Sequence, residues 1–362
     1  MAAFAERTGL TSSAPARRYL WTDAFAVCNY LGLAHATGEA RYADLALALV
    51  NQVHHVLGRH HPRDPRSGWI SGLGEEEGEA HPTRGGLRIG KPLPERGAGE
   101  PFDERLEWDR DGQYFHYLTK WMHALDQVSR STGDARFHFW ARELADAAHR
   151  AFASGPAGQQ RMAWKMSTDL SRPLVPSMGQ HDPLDGYITC VQLEATARRL
   201  SSPPEPSLDR AIEDFGAMTR ALDVRTTDPL GLGGLLTDAF RVTQLWAEGA
   251  LEGGDLLARL LVGASLEGLA RYARSGDWRQ PAWRRLAFRE LGLAIGLAAS
   301  ERLEESMGAT LRSYVPLGEA IESFWLDPEH RQTPTWSEHR DINEVMLATR
   351  LAPLGYLELA SA

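Results

Sequence analysis

Cysteine is nearly absent: of 362 residues only Cys28 and Cys190 are cysteines, which excludes a disulfide framework and a zinc-ribbon spacing. No apolar run approaches the roughly 18 residues needed to span a bilayer, so no membrane partner is expected. The opening stretch MAAFAERTGLTSSAPARRYLW lacks an apolar signal core, and the expected compartment is the cytoplasm. An excess of positive charge is missing too. A net charge of −9 and a pI near 5.8 leave no concentrated basic surface, so no nucleic-acid partner is expected. Strand-like alternation is scarce, and the glycines at 231–234 follow no strand, which removes a dinucleotide fingerprint; no cofactor is expected.

Helical spacing fills the gap. TDAFAVCNYLGLAHATG opens on Thr22 and Asp23 and closes at Gly38, and EARYADLALALVNQVHHVLG follows at once with apolar residues three and four apart. The pattern returns in GQYFHYLTKWMHALDQVSRSTGDARFHFWARELADAAHRAF. The two turns match: Thr37-Gly38-Glu39-Ala40-Arg41-Tyr42 aligns with Thr132-Gly133-Asp134-Ala135-Arg136-Phe137. In each, Gly stops one helix, the acid starts the next, and the aromatic begins its buried face. A second repeat pairs Trp21-Thr22-Asp23-Ala24-Phe25 with Leu236-Thr237-Asp238-Ala239-Phe240.

Marking the first helix of each presumed hairpin gives starts at Asp23, Asp111, Asp185, Asp238, Phe288 and Asp341. The last three intervals are each about fifty residues, one hairpin apiece. The first two are longer and hold insertions, at residues 59–110 and 155–184. Six hairpins, the sixth incomplete, predict an all-α chain of the (α/α)6 toroid class, with a single domain over 1–362. The TGEARYADLALALV and TGDARFHFWARELADAA turns resemble those of the six-hairpin glycosidase superfamily, which includes unsaturated glucuronyl hydrolases and N-acylglucosamine 2-epimerases. That resemblance implies sugar chemistry as an expectation; its motifs specify the hairpin and not a reaction.

In such a fold the loops before the first helices meet at one end. Those loops carry carboxylates and aromatics together, a surface suited to sugars, whose C–H faces stack on rings while their hydroxyls need polar partners. The candidate catalytic acids are Asp109, Asp111, Asp182 and Asp185, with Asp109 or Asp111 expected opposite Asp182 or Asp185. Substrate-binding candidates are Trp21, Asp23, Glu107, Trp108, Tyr114, His116, His181, Tyr187, Asp238, Trp336, Glu338 and His339. Asp23 and Asp238 also fit plain helix caps, while Glu107, Asp109 and Asp111 exceed what one cap requires. The insertion at 59–110 carries Arg84, Arg88, Lys91 and Arg96 and reads as a lid gripping an anionic group, or as a solvated loop.

The expected partner is a small-molecule or oligosaccharide substrate; a homo-oligomer stays open. The expected activity is glycoside hydrolysis through paired carboxylates. Epimerisation with His181 and His339 as acid and base, a Cys/His/Asp lyase-isomerase using Cys28 and Cys190, and a non-catalytic saccharide-binding protein are the alternatives. His54, His55, His60 and His61 read as cap and turn residues, and no metal is expected.

Overall fold

The computed structural model describes residues 1–156, 159–175, 177–200 and 205–360. Its helices form six consecutive pairs. These are α1 Leu20–Thr37 with α2 Ala40–Leu57, α3 Phe115–Thr132 with α4 Ala135–Phe152, and α5 Asp182–Leu200 with α6 Asp209–Arg220. The remaining pairs are α7 Pro229–Ala247 with α8 Gly254–Ser275, α9 Ala287–Ser300 with α10 Val315–Leu326, and α11 Arg340–Leu351 with the single turn α12 Leu354–Leu357. The two partners differ in character. α1 is buried on every side from Leu20 to Leu31, whereas α2 buries only Ala46, Leu49, Val50, Val53, His54 and Leu57, a stripe at three- and four-residue spacing.

The matched turns are built alike. Gly38 and Gly133 both take positive φ, 70° and 72°, a conformation that costs side-chain-bearing residues about 1 kcal/mol or more. Thr37 and Thr132 each return their hydroxyl to a carbonyl four residues back, and Asp134 accepts the Arg136 amide at 3.0 Å.

The chain divides into two compact units. One holds Ala2–Leu31 and Glu39–Leu222, with α2 to α6 and most of α1. Its interior carries a polar knot: the buried Asp126 carboxylate receives Arg130, His138, Gln192 and Thr196, which joins α3, α4 and α5. With so many donors its pKa falls to about 2 despite the opposing effect of burial, so the carboxylate is charged at neutral pH.

The same unit contains short strands, three of them within the second insertion and two outside both insertions. β1 Gln113–Tyr114, β4 Lys165–Met166 and β5 Pro173–Val175 form an antiparallel sheet in the order β1-β4-β5; β2 Ala153–Ser154 pairs with β3 Arg161–Met162. The insertion at 59–110 is tied down rather than loose. Arg88 pairs with the fully buried Asp111 and donates to the carbonyls of Val56 and Arg59. Arg66 joins Asp64, Glu95 and Asp169. Two cations expected to grip a ligand, Arg88 and Arg96, are therefore spent on holding the insertion itself.

The second unit holds Gly32–Gly38 and Asp223–Leu359. Here α7 starts at Pro229, capped by Asp228, whose carboxylate accepts the Gly231 amide at 2.9 Å. The start expected at Asp238 is a misreading: Asp238 lies in mid-helix, so the Leu236–Phe240 match to the opening of α1 is not positional. Of the glycines at 231–234, Gly233 is where α9 comes closest. A Cβ there would sit 2.1 Å from the Gly292 carbonyl oxygen, so the glycine belongs to helix packing. The expected starts at Phe288 and Asp341 fall within the first turns of α9 and α11. No helix among the described residues is long and apolar enough to cross a membrane.

Candidate functional site

The approach to α3 was the most acidic entrance, and the fold disperses its three acids. Glu107 is buried in an ion cluster: Lys165 Nζ donates to its Oε1 at 2.9 Å, and Arg96 Nε donates to its Oε2 at 3.1 Å. Lys165 completes its set on the carbonyls of Glu107 and Arg110, 2.9 and 2.8 Å away. Asp111 is committed to Arg88 and accepts the amides of Gly90 and Gly112 at 3.1 and 3.0 Å. Asp109 is exposed. Both carboxylates are already paired with cations or amides, and these contacts fasten the insertion.

The start of α5 is the opposite case. Asp182 and Asp185 are both buried in its first turn. Lys120, from α3, donates to Asp185 Oδ1 at 2.8 Å and balances its charge. Asp182 has no such cation in contact. Its Oδ2 lacks a hydrogen-bond partner among the described residues, and the nearest charged-type group is His116, with Nδ1 3.7 Å from Oδ1. Burial, reinforced by the Asp185 charge and only partly offset by a Gly179 backbone hydrogen bond and Lys120, pushes the Asp182 carboxyl up to about 8. It is protonated at neutral pH. Gly179 makes room for it, since a Cβ there would lie 2.3 Å from Asp182 Oδ2.

His116 is pushed down to about 4, mainly by burial, with Lys120 adding to the effect and Asp185 opposing it. It is therefore a neutral imidazole beside a protonated carboxyl. Sequence spacing explains the grouping: His116 and Lys120 are four apart on α3, so both side chains lie on one face, turned toward the start of α5. The pairing of Lys120 with Asp185 went unread in the sequence; the available signal was a lone lysine within a helix otherwise largely buried.

Aromatic rings continue from this pair. Tyr114 stacks on His116 with ring centres 5.4 Å apart and planes 25° apart, and Trp164 lies nearly parallel to His116 at 6.4 Å. Trp108, half exposed, meets Trp164 edge-on at 5.5 Å. Tyr117 stands edge-on to His116 at 4.8 Å and to Tyr19 at 5.5 Å. Trp164 reaches this wall through the pairing of β4 with β1, which sets Lys165 across from Tyr114. No helical or strand period announced it. Trp108 and Tyr114, two of the substrate-binding candidates, are both in contact with Trp164.

Other candidates fall elsewhere. Tyr187 leans on α6, where a Cβ on Gly216 would meet its ring at 3.1 Å, and not on the wall. Trp21 is buried against Phe25, with ring centres 4.6 Å apart. Asp23 accepts the Tyr19 amide at 2.9 Å and faces the buried Arg18, a role within the helix start. His181 is half-buried, and its carbonyl accepts the Asp185 amide.

In the second unit, Trp336 is buried and stacked on Trp325, Glu338 is exposed, His339 meets Phe288 edge-on, and Asp238 is buried near Arg241. That unit also contains a buried acid missed from sequence. Glu290 is held by Arg285 Nε and Nη2 and by Trp325 Nε1, so each carboxylate oxygen has a donor.

Both cysteines are buried, and burial pushes the Cys190 thiol up to about 12, which makes it a poor nucleophile. Among the described residues no group of three or more His, Cys, Asp or Glu side chains is arranged to hold a metal ion.

No description of a known protein family matches the sequence, and no curated protein matches it. Solved structures do match in fold. The cellobiose 2-epimerase from Spirochaeta thermophila is 13% identical with a TM-score of 0.50; the match covers 91% of this chain and 86% of that one. A sugar epimerase from a ruminal bacterium is 11% identical with a TM-score of 0.51, covering 92% of this chain and 87% of that one. The fold class is thus the all-α (α/α)6 toroid, as the helix repeat implied.

Proposed function

We propose that this protein is a carbohydrate-active enzyme that works by proton transfer at Asp182, and that its reaction is the epimerisation or isomerisation of a saccharide. The observation that carries the reading is the pairing of a buried, protonated Asp182 with an Asp185 balanced by Lys120. A protonated carboxyl beside a second carboxyl that an ammonium holds is the layout of an acid–base site. Asp182 Oδ2 has no hydrogen-bond partner among the described residues, whereas Glu107, Asp111 and Glu290 are each held by an arginine or lysine. The neutral His116 at 3.7 Å supplies a second proton-holding group. An epimerisation removes a proton from the carbon beside a sugar carbonyl and returns it, so it needs such a pair. The aromatic wall offers the stacking surface a sugar ring requires. The two sugar epimerases of the same fold support the substrate class.

Glycoside hydrolysis is the second reading, favoured by the same carboxyl pair, one acid and one base. One experiment separates the two. The protein is incubated with mono- and disaccharides in deuterated water and followed by NMR. Epimerisation introduces deuterium at carbon and leaves the number of sugar units unchanged; hydrolysis releases a new reducing end without carbon exchange. Turnover unaffected by Asp182→Asn would sink both.

A further inference from the structure

Lys91 is a part-buried cation of the first insertion for which no carboxylate partner is found among the described residues. Arg66, Arg88, Arg96 and, from the second insertion, Lys165 are all engaged by carboxylates. For Lys91 the contact is the ring of Tyr19, with Nζ 5.4 Å from the ring centre, and among the described residues its ammonium has no hydrogen-bond acceptor. The lysine is nonetheless held in place by its backbone. Ile89 N donates to Gly112 O at 2.9 Å, Gly90 N to Asp111 Oδ1 at 3.1 Å, Leu93 N to Asp109 O at 3.1 Å, and Leu20 N to Ile89 O at 3.1 Å. Gly90 allows this close path, since a Cβ there would sit 2.2 Å from the Arg18 carbonyl oxygen.

The ring under Lys91 adds a second donor. The hydroxyls of Tyr19 and Tyr117 are 2.7 Å apart and share one hydrogen bond. Two phenols carry two protons, so one proton remains to be donated outward. Burial pushes both phenols upward, Tyr19 to about 12, so that proton is retained throughout the neutral range. Tyr117 in turn touches the His116 ring, which joins these donors to the wall that runs to Asp182. The negative groups acting on Lys91 are Asp109, which is exposed, and Asp111, which Arg88 already neutralises.

The geometry points to a subsite for an anionic substituent of the saccharide, a carboxylate or a phosphate, held by the Lys91 ammonium and the Tyr19–Tyr117 hydroxyl pair. This deepens the saccharide reading and rests on it. A preorganised cation beside a hydroxyl donor offers charge-assisted hydrogen bonds that a neutral sugar cannot use.

Calorimetric titration of the full chain with glucuronate, glucose 6-phosphate and glucose tests it. At least one anionic probe should bind about tenfold tighter than glucose or better, and which one does so identifies the group. Lys91→Met should erase that preference and leave glucose affinity within about twofold, while Lys91→Arg keeps most of it. The Tyr19→Phe/Tyr117→Phe double variant, which removes both hydroxyls and so the outward donor, should weaken only the anionic probe. Unfolding temperatures establish that each variant is folded, and Lys91→Arg carries the test if Lys91→Met is not. Equal binding of the three probes, or a preference that survives Lys91→Met, overturns the subsite. If saccharide turnover persists with equal binding, the subsite alone falls. If no saccharide binds or turns over, the enzymatic reading falls with it.

Discussion

Residues 107–111 and 182–185 are both acidic stretches leading into a helix of the same unit, and they come to opposite ends. The first has more acid, and its two buried carboxylates are saturated: Glu107 by Lys165 and Arg96, Asp111 by Arg88 and two backbone amides. The second has a carboxyl, Asp182, that is buried with one oxygen unpartnered among the described residues. Acid density therefore does not locate a reactive carboxylate. What counts is the balance between desolvation and available partners, because a group deprived of partners keeps its proton and its reactivity.

The largest expected effect falls on Asp182. Asp182→Asn keeps the shape and removes the titratable proton, and turnover should drop about a thousandfold while the protein stays folded. The same variant checks the electrostatics. A carboxyl raised in the folded state favours folding when protonated, and that contribution is lost as pH rises from the ordinary carboxylate range through about 8. Asparagine does not ionise, so the variant should unfold at a higher temperature than the natural protein at pH 8.5, by about 3 °C or more. A wild-type rate that held constant from pH 7 to 10 would contradict the need for the protonated form.

Lys165→Met should show the reverse pattern. It leaves Glu107 buried with one cation fewer, so denaturant unfolding should register a loss of about 3 kcal/mol. Turnover per folded molecule should stay within a few-fold. A folded Lys165→Met protein without activity would break the contrast between the two stretches.

A smaller change is expected from Lys120→Met. Its positive charge draws the Asp182 carboxyl downward, so its removal lets that carboxyl rise further. The alkaline limb of the rate profile should move upward by a fraction of a pH unit, with turnover reduced about tenfold. Movement in the other direction would exclude Asp182 as the group responsible for that limb. The smallest effect belongs to Asp109→Asn, which should leave stability within about 0.5 kcal/mol and activity nearly unchanged. A large loss there would restore the first stretch as a catalytic centre.

The hairpins were legible because their signals are local. Gly38 and Gly133 stop helices through their own backbone freedom, and an apolar stripe such as that of α2 specifies its buried face without reference to anything distant. The misreading of Asp238 has a local cause as well. A short Thr-Asp-Ala-Phe match was read as a helix start, and only the approach of α9 gives Gly233 its place inside α7. Trp108, Tyr114, His116, Asp182 and Asp185 were among the candidates read from sequence, but the expected pairing of Asp109 or Asp111 with Asp182 or Asp185 did not single out His116 beside Asp182. Lys120, Trp164, Tyr19 and Tyr117 were not singled out at all, since their roles depend on partners as much as 98 residues away, as between Tyr19 and Tyr117.

The sequence by itself determined that the chain would be helical, paired and acidic, with aromatics and carboxylates before its first helices. Short-range periodicity, capping and composition act within a few residues and need no partner. Tertiary structure alone decided which carboxylates are neutralised. A charge is silenced or left reactive by what lies within a few ångströms of it in space, and for Glu107 that was Lys165, 58 positions along the chain.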